Sequence, residues 1–294
     1  MFGHEKFIAV DWGTTNRRAY RVGPDGAHEA EFEDDRGVLS IPAGGFPAAV
    51  AQIRERLGDL PLLMAGMVGS NRGWVEVPYV PCPAGFDQLA AALAWAEPAR
   101  AAIVPGLSLL TETRADVMRG EEVQLLGAVA AGLLPADGLA CHPGTHNKWV
   151  VLAGGEIASF RTVMTGELFN HLKGKGILAD WLGGPVAPGE AFRGGVRDGL
   201  DGGALGADLF AVRARILLGR AKAEDAASYT SGLLIGADVS AGLKDGAGTV
   251  TVIGRPELTR LYAAAIAEAG RAAVEVAGET AFLAGIIEVA RRVS

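Results

Sequence analysis

The sequence predicts an α/β protein with mixed sheets, folded as two lobes around a ligand-binding cleft. Three observations lead there. Strands are followed by helices twice over along the chain. A strand-turn-strand unit with a Gly-Thr turn occurs near residue 13 and again near residue 144, about 130 positions later. The length of 294 residues, 49% of them hydrophobic, suits two domains of about 150 residues each.

The first segment, Lys6 to Gly13, reads as a buried strand ending in a turn, and Asn16 to Val22 resumes as a second strand. Pro47–Leu57 has a helical pattern and Leu60–Met64 that of a strand, before a loop over Gly66–Gly73. A helix is expected over Phe86–Trp95, then a strand over Ala101–Val104 that stops at Pro105-Gly106. Glu121–Leu133 has the Ala, Leu, Glu and Gln content of a helix, and the turn-rich Pro135–Gly138 marks the crossing into the second domain. The expected division is therefore 1–134 and 135–277, with the closing helix, 278–294, returning to the first lobe.

In the second domain, Leu139 leads through the turn Pro143–Lys148 to strands over Trp149–Leu152 and Glu156–Thr162. Gly174–Gly206 is rich in Gly and Pro and is expected to be the most mobile segment. Helices are expected over Leu209–Leu218, Ala226–Leu243, Glu257–Ala269 and Ala281–Arg292, with a strand at Thr249–Ile253.

Charge and composition exclude several functions. With 27 Lys+Arg against 34 Asp+Glu, the net charge is −7, so there is no basic field for nucleic acid or an anionic membrane. Cys82 and Cys141 are too few and too far apart for a zinc site or a disulfide framework. His142 and His146 are separated by Pro143 and Gly144, which prevents the helical spacing of a metal pair. The first apolar run, Phe7–Val10, is too short for a signal-peptide core, and Val123–Leu134 is too short for a membrane span. A cytoplasmic protein is expected.

A loop that cradles polyphosphate needs glycine for close backbone approach, hydroxyl or amide donors, and often a carboxylate that holds magnesium through water. Asp11, Gly13, Thr14, Thr15 and Asn16 supply all three. Alone, such a turn also fits a capped Asx-type hairpin. Gly144, Thr145, His146 and Lys148 offer a second loop of the same kind. There is no Walker A sequence and no G-x-G-x-x-G.

These paired loops resemble the phosphate 1 and phosphate 2 motifs of the acetate kinase/sugar kinase/actin superfamily, whose fold is the two-lobed actin-like ATPase, or ribonuclease H-like, arrangement with a central cleft. The strand Thr249–Ile253 with Gly254 resembles the adenosine motif, and the closing helix resembles the C-terminal connecting helix. Six segments are similar to 2-dehydro-3-deoxygalactonokinases in particular: Ala65–Trp74, Met118–Gln124, Pro143–Trp149, Phe160–Leu168, Ser231–Ala237 and Gly278–Gly285.

That resemblance implies ATP and Mg2+ as cofactors, with Asp11 holding the ion through water. The implied reaction is phosphorylation of 2-dehydro-3-deoxy-D-galactonate at its terminal hydroxyl. It also points to a proton acceptor where related sugar kinases place an aspartate. Glu121 is the first choice, although Glu121 or Glu122 also suits a helix N-terminus, and Asp116 is the reserve. A substrate carboxylate calls for a bidentate guanidinium, and Arg72, Arg119 and Arg161 are available, with Arg161 favoured. Ser70, Asn71 and Tyr79 offer groups for sugar hydroxyls, although a Ser-Asn pair in a loop also satisfies its own backbone. Lys148 is a point charge for phosphate or a solvated surface residue, and Trp12, Trp74 and Trp149 are read as packing.

The expected partners are ATP and a small sugar acid, and a homodimer is an allowed assembly. Two other readings remain: a kinase of another sugar or keto-deoxy acid, and an actin-like ATP-binding regulator without a small-molecule substrate. Turnover across a panel of sugars and sugar acids separates the three.

Overall fold

A computed structural model describes Phe2 and residues 5–293. The chain divides into two compact units. The first comprises residues 1–136, 153–159 and 279–294, and the second comprises 137–152 and 160–278.

In the first unit, β1 (Phe7–Trp12), β2 (Arg17–Val22), β3 (His28–Asp34), α1 (Phe46–Leu57) and β4 (Leu62–Gly66) precede β5 (Val80–Pro81) and α2 (Phe86–Ala91). Then come β6 (Ala94–Glu97), β7 (Ala101–Ile103), β8 (Leu107–Leu110), β9 (Ala115–Met118) and α3 (Glu121–Ala130). The six-stranded sheet has the order β3-β2-β1-β4-β7-β6, and β5-β8-β9 form a separate three-stranded sheet. Strand β1 is antiparallel to β2 and parallel to β4. Its residues from Phe7 to Val10 are buried without alternation, as expected of a strand covered on both faces. Ile8, Val10 and Trp12 pack with Val50, Ile53, Leu62 and Met64 in the core under α1.

Next along the chain come β10 (Gly138–His142), β11 (Asn147–Ala153), β12 (Glu156–Val163), α4 (Thr165–Gly174), α5 (Glu190–Leu200) and α6 (Leu205–Leu217). They are followed by α7 (Ala226–Gly242), β13 (Val250–Gly254), α8 (Pro256–Glu268) and β14 (Ala273–Ala277), with α9 (Gly278–Arg291) last. The second large sheet has the order β12-β11-β10-β13-β14. Its β10 is antiparallel to β11 and parallel to β13, which repeats the pairing of β1 with β2 and β4. The duplication suggested by the two Gly-Thr turns is thus present in the strand order.

Several expectations are corrected. The helix predicted over Phe86–Trp95 ends at Ala91, because Ala94–Glu97 pair antiparallel with β7 as an edge strand. The segment Gly174–Gly206 is not loop throughout: it contains α5, whose glycines allow backbone contact with α7. A methyl group at Gly195 would lie 2.1 Å from Tyr229 O, and one at Gly199 2.3 Å from Leu233 O. From the other side, Gly232 would meet Phe192 O at 2.0 Å and Gly236 would meet Val196 O at 2.3 Å. Glycine content here specifies a tight helix pair rather than flexibility. Strands β3, β5, β8, β9 and β14 and helix α4 lie outside the sequence expectations; β3 and β14 show no run of buried residues, so no hydrophobic period marks them.

No helix among the described residues is long and apolar enough to cross a membrane.

Replacing Gly232 with Ala forces the α5–α7 pair apart, since the contacting atoms are backbone and cannot rotate away. The expected loss is about 1–3 kcal/mol, read as a lower denaturation midpoint with an unchanged m-value in urea titration.

Candidate functional site

In the first unit, the turn from Gly13 to Asn16 joins β1 to β2. Gly13 N–H donates to Asn16 O at 2.9 Å, which closes the turn. The segment that follows β3 takes up the other carbonyls: Val38 N–H donates to Gly13 O, Leu39 N–H to Thr14 O and Gly37 N–H to Thr15 O. Gly37 is required, because a methyl group there would sit 2.3 Å from the Thr15 backbone. With four consecutive carbonyls turned inward, the amides of Thr14, Thr15 and Asn16 donate to no acceptor among the described residues. Successive amides presented this way form an anion nest. Asp11, partly buried on β1, lies just ahead of the turn.

The ends of three elements meet beside this turn. Gly66 closes β4 with φ 98°, and a side chain there would lie 2.7 Å from Trp12 O. Gly120 precedes α3 with φ 105°, and a side chain there would lie 3.1 Å from Gly66 Cα. Both positions need the left-handed conformation and the close approach, so glycine is obligatory. The start of α3 is thereby brought against the end of β4 and, through it, against β1.

The carboxylates at the start of α3 turn back as caps: Glu121 Oε2 accepts from Arg119 N–H at 3.0 Å, and Glu122 Oε2 accepts from Gly120 N–H at 2.7 Å. Glu121 is half-buried. Glu122 is fully buried and its Oε1 has no partner. Burial, reinforced by the charge of Glu121, pushes the Glu122 acid up to about 8. Asp116 lies on β9, where its Oδ1 accepts from Val117 N–H at 2.8 Å.

The predicted sugar-side residues separate into groups. Ser70 donates its hydroxyl to Met67 O at 2.7 Å and accepts from Arg72 N–H at 3.2 Å, so it shapes its own turn. Asn71 and Arg72 are exposed at the tip of that loop. Arg119 and Tyr79 come together, the guanidinium 4.3 Å from the ring centroid. Arg161 lies in the second unit, and its fork is filled by Asp245 through bonds of 2.8 and 2.7 Å.

The second unit repeats the nest. The amides of Gly144, Thr145 and His146 donate to no acceptor among the described residues. Thr145 O accepts from Glu167 N–H at 2.9 Å, which ties the loop to the first turn of α4. Gly166 permits that fit, since a methyl group there would lie 2.4 Å from Gly144 O. His146 Nε2 pairs with Glu167 Oε2 at 2.5 Å, and His146 holds the Glu167 carboxylate below its ordinary range. Gly254, at the end of β13, borders the loop, 3.6 Å from Pro143 O by its would-be Cβ. Lys148 is buried rather than solvated, and its Nζ donates to Thr162 Oγ1 at 2.8 Å.

Sequence reasoning missed Asp238. This carboxylate is buried on α7 and accepts four hydrogen bonds: from Asn147 Nδ2 at 2.9 Å, Trp149 Nε1 at 2.8 Å, Thr165 Oγ1 at 2.6 Å and Tyr262 OH at 2.6 Å. Burial raises its acid, against the opposing effect of these donors. It binds the strand leaving the loop to α4 and α8. The available signal was a lone acidic residue in the otherwise uncharged run Ala226–Gly242.

The family model for 2-keto-3-deoxy-galactonokinase matches residues 11–289. The chain belongs to that family. It is 37% identical to a 2-dehydro-3-deoxygalactonokinase of Escherichia coli strain K12, over 98% of this chain and 99% of that one. The crystal structure of a candidate 2-dehydro-3-deoxygalactonokinase from Sinorhizobium meliloti superimposes with a TM-score of 0.90 at 35% identity, covering 97% of this chain and 98% of that one. An activator of 2-hydroxyisocaproyl-CoA dehydratase from Clostridium difficile, solved with ADPNP, shares the fold at a TM-score of 0.53 and 11% identity, over 97% of this chain and 94% of that one. The resemblance read from the six sequence segments is therefore correct, and the fold is of the expected α/β class with mixed sheets.

The raised Glu122 acid makes stability depend on pH. Because its folded-state value lies above the ordinary 4.5, its contribution is fully present below about 4.5 and is lost as pH rises through about 8. Relative to Glu122→Gln, the wild type should lose up to about 1.4 kcal/mol per pH unit within that window, measured as the difference in unfolding free energy across a pH series.

Proposed function

We propose that the protein is an ATP-dependent kinase that phosphorylates 2-dehydro-3-deoxy-D-galactonate at its 6-hydroxyl, as in galactonate catabolism. The observation that carries this reading is the row of unbonded amides at Thr14, Thr15 and Asn16, in a chain of this family. The relatives' names give the substrate, and the loop gives the chemistry: a place for phosphate oxygens.

In this reading, the nests at Gly13–Asn16 and at Gly144–His146 are the phosphate-holding elements, with the Thr14, Thr15 and Thr145 hydroxyls beside them. Lys148, buried against Thr162, brings positive charge next to the second loop, and Gly254 borders the adenosine side. No cluster of three or more His, Cys, Asp or Glu suited to a metal exists among the described residues. That fits Mg2+, which keeps its waters and binds through one or two carboxylates and substrate phosphates. Asp11 is the carboxylate that would hold it through water, and the ion would neutralise charge on the transferring group.

The substrate's hydroxyl oxygen forms a bond to the γ-phosphorus as the bond to the bridging oxygen breaks and ADP leaves. The hydroxyl proton passes to a carboxylate. Glu121 is the assigned acceptor, because it is half-buried and fixed by Arg119 N–H next to the junction of β1, β4 and α3. Asp116 faces its own backbone on β9 and is the reserve. Asn71 at its loop tip and the Tyr79 hydroxyl are available for sugar hydroxyls, while Ser70 holds the loop's shape. ATP as donor fits a cytoplasmic enzyme.

A coupled ADP-release assay with Mg-ATP tests this reading. Turnover should be highest with 2-dehydro-3-deoxygalactonate among its gluconate epimer, neutral sugars and amino sugars. Glu121→Gln should lower kcat on the order of 100-fold with little change in the KM for ATP. Preferred turnover of a neutral or amino sugar would remove the substrate assignment, and ATP hydrolysis unaffected by any sugar acid would favour a regulator.

A further inference from the structure

Among the described residues of the first unit, Arg119 is a buried cation with two nitrogens left unbonded. The residue is only 9% exposed. One nitrogen, Nη2, donates to Val77 O at 2.7 Å. The other two, Nε and Nη1, are buried and have no acceptor. A guanidinium carries five N–H donors and does not lose its proton. Leaving two of its nitrogens dry and unbonded is costly unless an anion completes the set.

The surroundings are built for a fixed guanidinium rather than a mobile one. Tyr79 covers one face at 4.3 Å, in the geometry of a cation–π contact. The Tyr79 ring rests in turn against Gly106, where a methyl group would lie 2.9 Å from ring carbon Cε1. On the Nη1 side stands Gly69, where a methyl group would come within 2.8 Å of that nitrogen. The absence of a side chain at Gly69 lets the guanidinium pack directly against the backbone there, which fixes its position.

Among the described residues, no carboxylate makes a hydrogen bond or ion pair with this guanidinium. Glu122 turns its Oε2 to Gly120 N–H, and Glu121 turns its Oε2 to the backbone amide of Arg119 itself. Burial pushes the Glu122 acid up to about 8 against the opposing charge of Arg119, so Glu122 is a weak counter-ion and makes no hydrogen bond to the guanidinium. The contrast with Arg161 is direct, since Asp245 fills that fork with two bonds.

We propose that Arg119, braced by Val77 O, Tyr79 and Gly69, is the anchor for the carboxylate of the substrate and thereby selects sugar acids over neutral sugars. This deepens the kinase reading and rests on it. One carboxylate oxygen can take the Nε–H while the other takes the second hydrogen of Nη2, the same edge that Asp245 fills on Arg161, and charge-assisted bonds of this kind are about twice as strong as neutral ones. Tyr79, 40% exposed, lies over the guanidinium face.

The test compares 2-dehydro-3-deoxygalactonate with its C1 amide, which keeps every hydroxyl and removes the charge. Wild-type protein should prefer the acid in kcat/KM. Arg119→Gln should lower kcat/KM for the acid on the order of 100-fold, through KM, while leaving the amide and the KM for ATP nearly unchanged. Arg119→Lys, which keeps charge and bulk but loses the fork, should recover part of the preference and carries the test if Arg119→Gln does not fold. An acid-to-amide ratio equal to that of the wild type in a folded variant overturns the assignment, whatever the thermal stability does. Calorimetric binding of acid and amide without ATP reads the same ratio independently of turnover. Failure of the kinase reading, seen as no ADP release, is therefore distinct from failure of the anchor, seen as equal acid binding by wild type and variant.

Discussion

The arrangement of the first unit depends on how one turn disposes of its carbonyls. From Gly13 to Asn16 each carbonyl accepts a backbone N–H from within the unit, three of them supplied by Gly37, Val38 and Leu39. Backbone polar groups removed from water must be bonded, so fixing the carbonyls inward leaves the amides facing outward. Trp12 strengthens the arrangement from below: its indole donates to Arg36 O at 2.9 Å, tying the end of β1 to the chain that closes the turn. A nest of this kind is preorganised, which is the main contribution a protein makes to phosphoryl transfer.

The second hairpin reaches the same result by different means. No segment equivalent to Gly37–Leu39 overlies it, and its support comes from α4, through Glu167 N–H and the close fit of Gly166. Asp238 then ties Asn147, Trp149, Thr165 and Tyr262 to one carboxylate. A buried charge is tolerated when its lone pairs are filled, and four donors fill them here. The consequence is a loop whose two ends are both fixed, one through β11 and one through α4.

Arg119 and Glu122 break the rule that these two loops obey. Each is buried, and each retains at least one atom without a partner. Departures of this kind concentrate at functional sites, because an incompletely bonded group is one that a ligand can complete. Both residues sit at the entry to α3, where Gly66 and Gly120 bring the backbone so close that no side chain could intervene. Packing economy elsewhere in the unit therefore coincides with incomplete bonding at this junction.

Much of the fold was legible in the sequence, for physical reasons that apply residue by residue. The apolar run Phe7–Val10 ending in Gly13, and its counterpart before Gly144, had to be strands entering turns. The periodic segments Pro47–Leu57 and Ala226–Leu243 had to be helices. Pattern could not reveal α5, since its glycines read as flexibility until α7 was in place to use them. Nor could it show β6, which exists only because β7 offers an edge. The residues of both turns could be named from their turn chemistry, a local property. The fates of Arg161 and Arg119 could not, because they depend on whether a distant acid is within reach: Asp245 pairs with one, and no carboxylate among the described residues bonds the side chain of the other. Asp238 escaped notice for the same reason, its four donors lying 24 to 91 positions away. The turns, the strands that carry them and the kinase family follow from neighbours along the chain, so the residues alone suffice for them. Which buried charges are satisfied depends on the folded chain, because contacts between residues far apart in sequence fix it.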